Sequence, residues 1–187
     1  MPVRKRDRSL GSGVYYAPGD YVGILRRIAI WVIDAFVLLC LLFGLGTVWS
    51  AVAPESPGPY LLTSLILVWL YVAVLKPSKL RTVGYWLTGC RIVNLRGESP
   101  SVLRMTLRSL MWMLGPFSPI FDLIWCGIDE DRQGLRDRFV GTCLIKRDAT
   151  PIGQGEIHLA HFNAMGYTLM YPHVVHPRHE LNGSIGS

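Results

Sequence analysis

Charged residues are scarce in this sequence. Asp, Glu, Lys and Arg make up 17% of the 187 residues, whereas 50% of the residues are hydrophobic. Soluble domains usually carry about 25% charged residues, so this composition favours a membrane protein. The net charge of +6 comes from basic residues that flank apolar runs, which indicates membrane orientation rather than nucleic-acid binding. We therefore expect the lipid bilayer, and no nucleic acid, as a partner.

Motifs of catalysis and metal binding are also lacking. The sequence has no nucleophile elbow, phosphate-binding loop or zincin motif. Its four cysteines are scattered without metal-ligand spacing. The five histidines all lie beyond residue 157, where two or three could ligate a metal. Prolines interrupt residues 171–179, however, and no Cys or acid completes a ligand set. We predict that the protein is not an enzyme and has neither a metal nor a cofactor.

Two apolar runs are long enough for membrane helices, at about residues 25–49 and 60–75. The first run is too long for a cleaved signal sequence, so we expect a retained anchor. The loop between them, residues 53–59, contains three prolines and no Lys or Arg, as expected for a loop outside the cell. Lys76 follows the second run and can extend its amine to the membrane surface.

The chain changes character after the second apolar run. Residues 87–95 mix apolar and polar side chains, which predicts an extended or irregular segment at the membrane surface. Ser99 or Ser101 then begins a helix in which Arg104 and Arg108 share one face. Leucines recur every three or four residues along this helix. We therefore expect an amphipathic helix at the membrane interface.

The third apolar run, residues 109–128, contains Gly115, Pro116 and Pro119. Proline removes a backbone hydrogen bond and kinks or breaks a helix. Lys and Arg are frequent before the first helix, after the second and after Ile128, and absent from the first loop. The positive-inside rule therefore places the N-terminus in the cytoplasm. A broken segment that enters the membrane and returns would keep the C-terminus there too, and we expect this rather than a third crossing.

These elements predict an all-α integral membrane protein. The expected fold is a small multi-spanning helical bundle with an interfacial amphipathic helix and a proline-broken third membrane segment. Residues 1–20 are expected to be a basic, flexible cytoplasmic tail and residues 21–147 the membrane domain. Residues 148–187 are expected to be a C-terminal tail without an assigned domain. The expected location is the cell (inner) membrane, with both termini in the cytoplasm.

Asp34 is the most informative residue, because residues 28–53 around it are otherwise uncharged. A carboxylate in hydrocarbon costs about 2.5–3.5 kcal/mol on insertion scales. Arg27 lies two turns earlier on the same face, about 10 Å away along the axis, which is too far for a salt bridge. We expect its guanidinium to point to the interface. Asp34 therefore needs another partner, for which Arg104 or Arg108 is the best candidate, or it is protonated and neutral.

Two further acids are candidates for function. Asp122 follows the central prolines, where a broken helix frees backbone carbonyls. It is either a cation ligand, as Asp34 could be, or an acid that faces water near the membrane surface. Asp137 lies in a charged loop, where we expect a structural tie to a nearby arginine: Arg132, Arg136 or Arg138.

Several of these residues fall into motifs of one membrane family. Arg27 and Asp34 are an Arg and an Asp seven residues apart in the first helix, and Thr82-x-Gly84 opens the loop after the second. Residues 132–142 match the closing pattern R-Q-x-L-x-D-x-x-x-G-T. Over about residues 20–147 the chain resembles the RDD family. The resemblance implies a small multi-spanning membrane protein, and cation/proton exchange has been proposed for some members. Many members have His before the second Asp, where this chain has Arg136.

Two functions remain open at this point. The favoured one is a non-catalytic membrane scaffold, in which buried charges fix helix packing and cytoplasmic loops dock other membrane proteins. The alternative is a small transporter or cation/proton exchanger that uses intramembrane carboxylates. Three membrane segments cannot easily enclose a path, so an exchanger would need a homo-oligomer, and the lack of a repeated second half favours the scaffold. The candidate site residues are Arg27, Asp34, Arg104, Arg108, Asp122 and Asp137.

Overall fold

The computed structural model of the chain describes residues 10–53, 55, 57–114, 118–129, 131–164 and 167–175. The helices are α1 (Ile24–Val52), α2 (Pro57–Trp69), α3 (Val83–Leu87), α4 (Val102–Leu110), α5 (Ser118–Ile128) and α6 (Leu135–Val140). The strands are β1 (Ser12–Tyr15), β2 (Cys90–Asn94), β3 (Thr142–Lys146), β4 (Gly153–Ala164) and β5 (Tyr167–Val174). The π-helical segment Leu70–Leu75 continues α2, and the 3-10 turn Met111–Leu114 continues α4.

Among the described residues, two helices are long and apolar enough to cross a membrane. They are α1, with 29 residues, and the continuous helix Pro57–Leu75, with 19 residues, which we call the second membrane helix. Only 11% of the apolar window of either helix is buried. The core helix of a soluble protein would be mostly buried, whereas a membrane helix turns its apolar side chains toward lipid. The first helix was predicted at about residues 25–49 and is longer at both ends. The second was predicted at about residues 60–75 and begins earlier, at Pro57.

The all-α prediction is wrong, because the chain also forms two antiparallel sheets. β2 pairs with β3 in a register that places Ile92 opposite Leu144. Each strand is only five residues long, and the two are far apart in the sequence. The local pattern around either strand therefore does not indicate which segment it pairs with. The second sheet has the strand order β1-β4-β5.

The second sheet is built from segments that were expected to be tails. β4 and β5 form a long antiparallel hairpin that pairs Ile157 with Val174 and His158 with His173. β1, from the N-terminal segment, pairs with the first part of β4. Few of the side chains that the structure describes in this sheet are buried, so the usual strand pattern of alternating apolar residues is weak in the sequence. Residues 1–9 and 176–187 of the two predicted tails lie outside the described residues.

Two hydrophobic cores meet at the β2–β3 pair. One core lies against the three-stranded sheet and includes Tyr16, Ile145 and Ile157. The other packs Ile30 of α1 and Tyr85 of α3 against the opposite side of the pair. The pair therefore attaches the three-stranded sheet to the ends of the membrane helices. The buried charged residues lie beside the second core.

The third apolar run does not form one helix. α4 begins after Ser101, whose Oγ accepts a hydrogen bond from the Arg104 backbone N–H at 3.4 Å, as the capping argument predicted. The predicted break at Gly115 and Pro116 lies outside the described residues. α5 has 11 residues, which at about 1.5 Å per residue is about half the thickness of the hydrocarbon core.

Candidate functional site

Asp34 lies three turns into α1 and is held by four donors from the chain around the end of the second membrane helix. Tyr71 Oη and the Gly84 backbone N–H donate to Asp34 Oδ1 at 3.0 and 2.9 Å. Lys76 Nζ and Thr82 Oγ1 donate to Oδ2 at 3.2 and 3.0 Å. Each oxygen of this buried carboxylate therefore has two partners. Asp34 ties α1 to the second membrane helix and to the first turn of α3.

The partner predicted for Asp34 is wrong. Arg104 is exposed, and Arg108 binds another carboxylate. Lys76 supplies the charge instead, because its amine turns toward α1 rather than extending to the membrane surface. Burial lowers the pKa of Lys76 to about 8, although the Asp34 carboxylate acts in the opposite direction.

Gly84 explains why the Thr-x-Gly pattern matters at this site. A Cβ atom at Gly84 would lie 2.6 Å from Asp34 Oδ1 and 2.8 Å from the Ile30 carbonyl oxygen. Only glycine lets the α3 backbone approach α1 this closely. Thr82 adds a hydroxyl donor two residues earlier. This pairing of a hydroxyl with a glycine N–H is the sequence signal that could have identified the partner of Asp34.

Asp137, in α6, is fully enclosed, with a side-chain exposure of 0%. Arg27 donates to its Oδ2 at 2.7 Å, and Arg108 donates to its Oδ1 at 2.7 Å. Thr142 Oγ1 donates to Oδ1 at 3.2 Å, and the Gly134 N–H donates to Oδ2 at 3.3 Å. Burial would raise the pKa of Asp137, but Arg108 and Arg27 outweigh it and hold the pKa well below its usual range.

The structure corrects two expectations about these charges. Arg27 does not point to the interface: it is 2% exposed and also donates to the carbonyl oxygens of Val22 and Arg132 at 3.2 and 2.7 Å. The three arginines expected to bind Asp137 do not do so. Arg136 pairs with Asp122 and Arg138 with Asp129, and Arg132 contributes its carbonyl to Arg27.

Asp122 of α5 is buried with an exposure of 0%, so it does not face water. It accepts hydrogen bonds from Arg136, whose guanidinium donates to Oδ2 at 2.7 Å and whose backbone N–H donates to Oδ1 at 3.1 Å. The Arg136 guanidinium lies 4.7 Å from the ring centre of Trp112 and 5.6 Å from that of Trp31. These rings hold the guanidinium by cation–π contact.

The RDD family matches residues 21–141 of this chain. The chain belongs to the RDD family. No curated protein and no solved structure matches it significantly. Family membership and the two apolar helices together indicate a membrane protein. In this RDD chain, Arg27 and Asp34 do not form a pair; Arg27 instead binds Asp137, 110 residues later.

Arg104 and Arg108, which were predicted to share one face of α4, lie in different surroundings. Arg108 is buried against Asp137, whereas Arg104, one turn earlier, is exposed. Leu103 and Leu107 of the RDD domain are 69% and 48% exposed. The helix therefore has a buried face and an exposed apolar face, which is the amphipathic character that the leucine spacing predicted. Arg104 does not join the other candidate residues.

The described part of the RDD chain contains no group of three His, Cys, Asp or Glu side chains that could hold a metal ion. His176 and His179, two of the tail histidines, lie outside that part. Cys143 is buried, and burial raises its pKa to about 12, against the effect of a hydrogen bond from Gln133. A thiol in this state is unreactive.

Proposed function

We propose that this RDD chain is a non-catalytic scaffold of the cell membrane, whose buried ion pairs fasten the membrane helices to a layer of strands and short helices. The observation that supports it most is the enclosure of Asp137. This carboxylate joins Arg27 of α1 and Arg108 of α4 to its own helix, α6. One acid therefore connects three elements that are far apart in sequence.

The same geometry argues against cation exchange at Asp137. An exchanging acid must bind and release a proton or a cation, but both Asp137 oxygens already accept hydrogen bonds from guanidinium groups. Arginine does not lose its proton at physiological pH. A cation that displaced Arg27 and Arg108 would leave two buried positive charges without a partner, which is strongly unfavourable. Asp122 is likewise paired with an arginine, Arg136.

The contacts also support a topology with both termini in the cytoplasm. Asp34, three turns into α1, pairs with Lys76 at the end of the second membrane helix. The two membrane helices therefore form a hairpin whose basic ends lie on the same side. β3 lies at the same end, because the Lys146 backbone N–H donates to the Asp20 carbonyl oxygen at 2.9 Å. With α5 too short to span, we propose two crossings and a third segment that returns to the cytoplasmic side.

A docking surface for a protein partner is available on the β4–β5 hairpin. β1 and the two residues before it cover β4 only as far as Ile157. From His158 onward, no second described strand pairs with the other edge of β4. Leu159 and Met170 on this hairpin are 46% and 57% exposed. An open strand edge with apolar side chains can accept a strand from another chain, such as a second copy or another membrane protein.

Proton flux in proteoliposomes tests the scaffold against the exchanger. We expect vesicles that contain the full chain to show no more cation-driven proton flux than protein-free vesicles. We also expect Asp34→Asn to lower the thermal unfolding temperature in detergent. Flux by the wild type that Asp34→Asn abolishes, with an unchanged unfolding temperature, would disprove the scaffold.

Exchange at Asp34 is the second candidate, and Lys76 is the observation that favours it. Its amine can lose a proton near neutral pH, because burial lowers its pKa to about 8. Loss of that proton would leave the Asp34 carboxylate with neutral donors only, free to attract a cation. The exchanger therefore predicts flux that rises with pH through about 8 and disappears in Lys76→Met. The scaffold predicts no flux at any pH in either protein.

A further inference from the structure

A cavity of about 510 Å³ lies between α1, the second membrane helix and α4. Its walls toward the membrane are apolar and include Leu38, Leu65 and Val68. Leu65 and Leu110, which also line it, are 68% and 50% exposed. The cavity therefore opens on the surface that the membrane helices turn toward hydrocarbon. An elongated apolar molecule can enter from the bilayer without crossing water.

The other end of the cavity is basic. Four basic side chains line it, and three buried carboxylates pair with them. One positive charge in this buried cluster is therefore not balanced by any of the three. A buried net charge is costly, and a bound anion would remove that cost. The basic residues are Arg27, Lys76, Arg108 and Arg136, and the carboxylates are those of Asp34, Asp122 and Asp137.

Arg136 is the group best placed to meet an anion. One terminal nitrogen of its guanidinium binds Asp122, but its buried Nε has no hydrogen-bond partner. The other arginines of the cavity already have partners. Arg27 donates to Asp137 and to two carbonyl oxygens, and Arg108 donates to Asp137. Burial lowers the pKa of Arg136, and so does the neighbouring charge of Arg108, while Asp122 opposes them. Arg136 therefore has one carboxylate partner, Asp122, and a guanidinium N–H that no described group accepts.

We propose that this cavity binds an anionic phospholipid, with its phosphate at Arg136 and Lys76 and an acyl chain between α1 and the second membrane helix. A guanidinium binds phosphate oxygens through two parallel N–H groups, and a lysine amine adds a point charge. The apolar walls favour a lipid over a free anion. A basic pocket at the cytoplasmic ends of membrane helices is a setting in which anionic headgroups bind. The site does not depend on the scaffold role.

Native mass spectrometry of the detergent-purified full chain tests this site. Dioleoyl phosphatidylglycerol is added in one series and dioleoyl phosphatidylcholine in another, and inorganic phosphate serves as a competitor. We expect one phosphatidylglycerol molecule to bind at least about tenfold more tightly than phosphatidylcholine. Inorganic phosphate should not displace it. Equal binding of the two lipids would refute the site, and displacement by phosphate would show that it takes a soluble anion.

Two variants locate the lipid. Val68→Trp places an indole in the apolar wall and leaves every ion pair intact, so phosphatidylglycerol binding should weaken about tenfold or more. Arg104→Gln removes an exposed arginine of α4 that does not line the cavity, and binding should stay unchanged. If Arg104→Gln weakens binding as much as Val68→Trp does, the lipid is held by general surface charge and the cavity is not its site. Equal unfolding temperatures of the lipid-free proteins check that both variants fold.

Discussion

Asp34 and Asp137 are both buried carboxylates of one RDD domain, yet they are neutralised in different ways. Asp137 has two arginines, which keep their charge at every accessible pH. Asp34 has one lysine and three neutral donors, and that lysine has a pKa of about 8 because it is buried. The difference separates a permanent structural connection from a pair whose charge can change. Of these two sites, only that of Asp34 could take part in proton chemistry.

Asp137→Asn should have the largest effect, because it leaves Arg27 and Arg108 buried without a counter-charge. Breaking a buried ion pair by removing one partner costs about 3–5 kcal/mol. We expect most of the protein to be lost during expression, and the remainder to unfold at a much lower temperature in detergent. Asp148→Asn, at an exposed position, is the matched control and should behave like the wild type. A normal unfolding temperature for Asp137→Asn would show that the two arginines find other partners.

Asp34→Asn should cost less, about 2–3 kcal/mol at neutral pH, because Lys76 can become neutral by losing its proton. The native pKa of Lys76, about 8, lies below its ordinary value of 10.5. Loss of Asp34 lowers the native pKa further. As pH rises from about 6 to 8, the unfolded variant binds more protons than the folded variant, so the stability of the variant rises. The stability of the wild type rises less over this range, because its Lys76 begins to lose its proton only near pH 8.

Thermal unfolding at about pH 6 and about pH 8 measures this difference. The gap in unfolding temperature between the wild type and Asp34→Asn should shrink at the higher pH. The gap for Asp137→Asn should stay constant, because arginine does not titrate in this range. A constant gap at both sites would contradict the distinction drawn between them.

Gly84→Ala should have the next largest effect, about 1–3 kcal/mol, because its Cβ would overlap both Asp34 and the Ile30 carbonyl oxygen. Gly44→Ala is the control, since Gly44 also lies in a helix but a Cβ there would have no neighbouring atom within 4 Å. Alanine favours a helix over glycine, so Gly44→Ala should be neutral or slightly stabilising. Unfolding temperatures that fall equally in both variants would mean that the Gly84 contact is not specific.

The sequence identified the residues of both sites better than it identified their partners. Its apolar runs located the two membrane helices, and the RDD motifs identified Arg27, Asp34 and Asp137. The pairing of Arg27 with Asp137 spans 110 residues, and no local pattern contains that information. Lys76 was misjudged because lysines at helix ends usually extend to the membrane surface. Here a glycine and a threonine of the following turn bring Asp34 close enough to hold the amine.

The extended segment predicted over residues 87–95 contains β2, but the pairing of β2 with β3 and the three-stranded sheet were missed, for a related reason. Each strand of the β2–β3 pair is short, and few of the described side chains of β4 and β5 are buried, so their patterns are weak. These segments form strands because they pair with distant segments. Residues 153–156, for example, pair with β1. Local propensity could not reveal this pairing.

The smallest effects should come from two hydroxyl groups, one in each site. Thr82 Oγ1 donates to Asp34 at 3.0 Å, and Thr142 Oγ1 donates to Asp137 at 3.2 Å. A hydrogen bond to a charged group contributes about 1.5–3 kcal/mol, and a longer bond beside stronger donors contributes less. Replacement of either threonine by valine keeps the shape and removes the donor.

Thr82→Val should therefore lower the unfolding temperature more than Thr142→Val. Asp34 depends on neutral donors for three of its four hydrogen bonds, whereas Asp137 keeps two guanidiniums after its hydroxyl donor is lost. The double variants sharpen the result: Thr82→Val should add little to Asp34→Asn, because the charged acceptor is already gone. If Thr142→Val lowers the unfolding temperature more than Thr82→Val does, the two arginines do not dominate the Asp137 site. Asp34 and Asp137 would then not differ in the way their donors indicate.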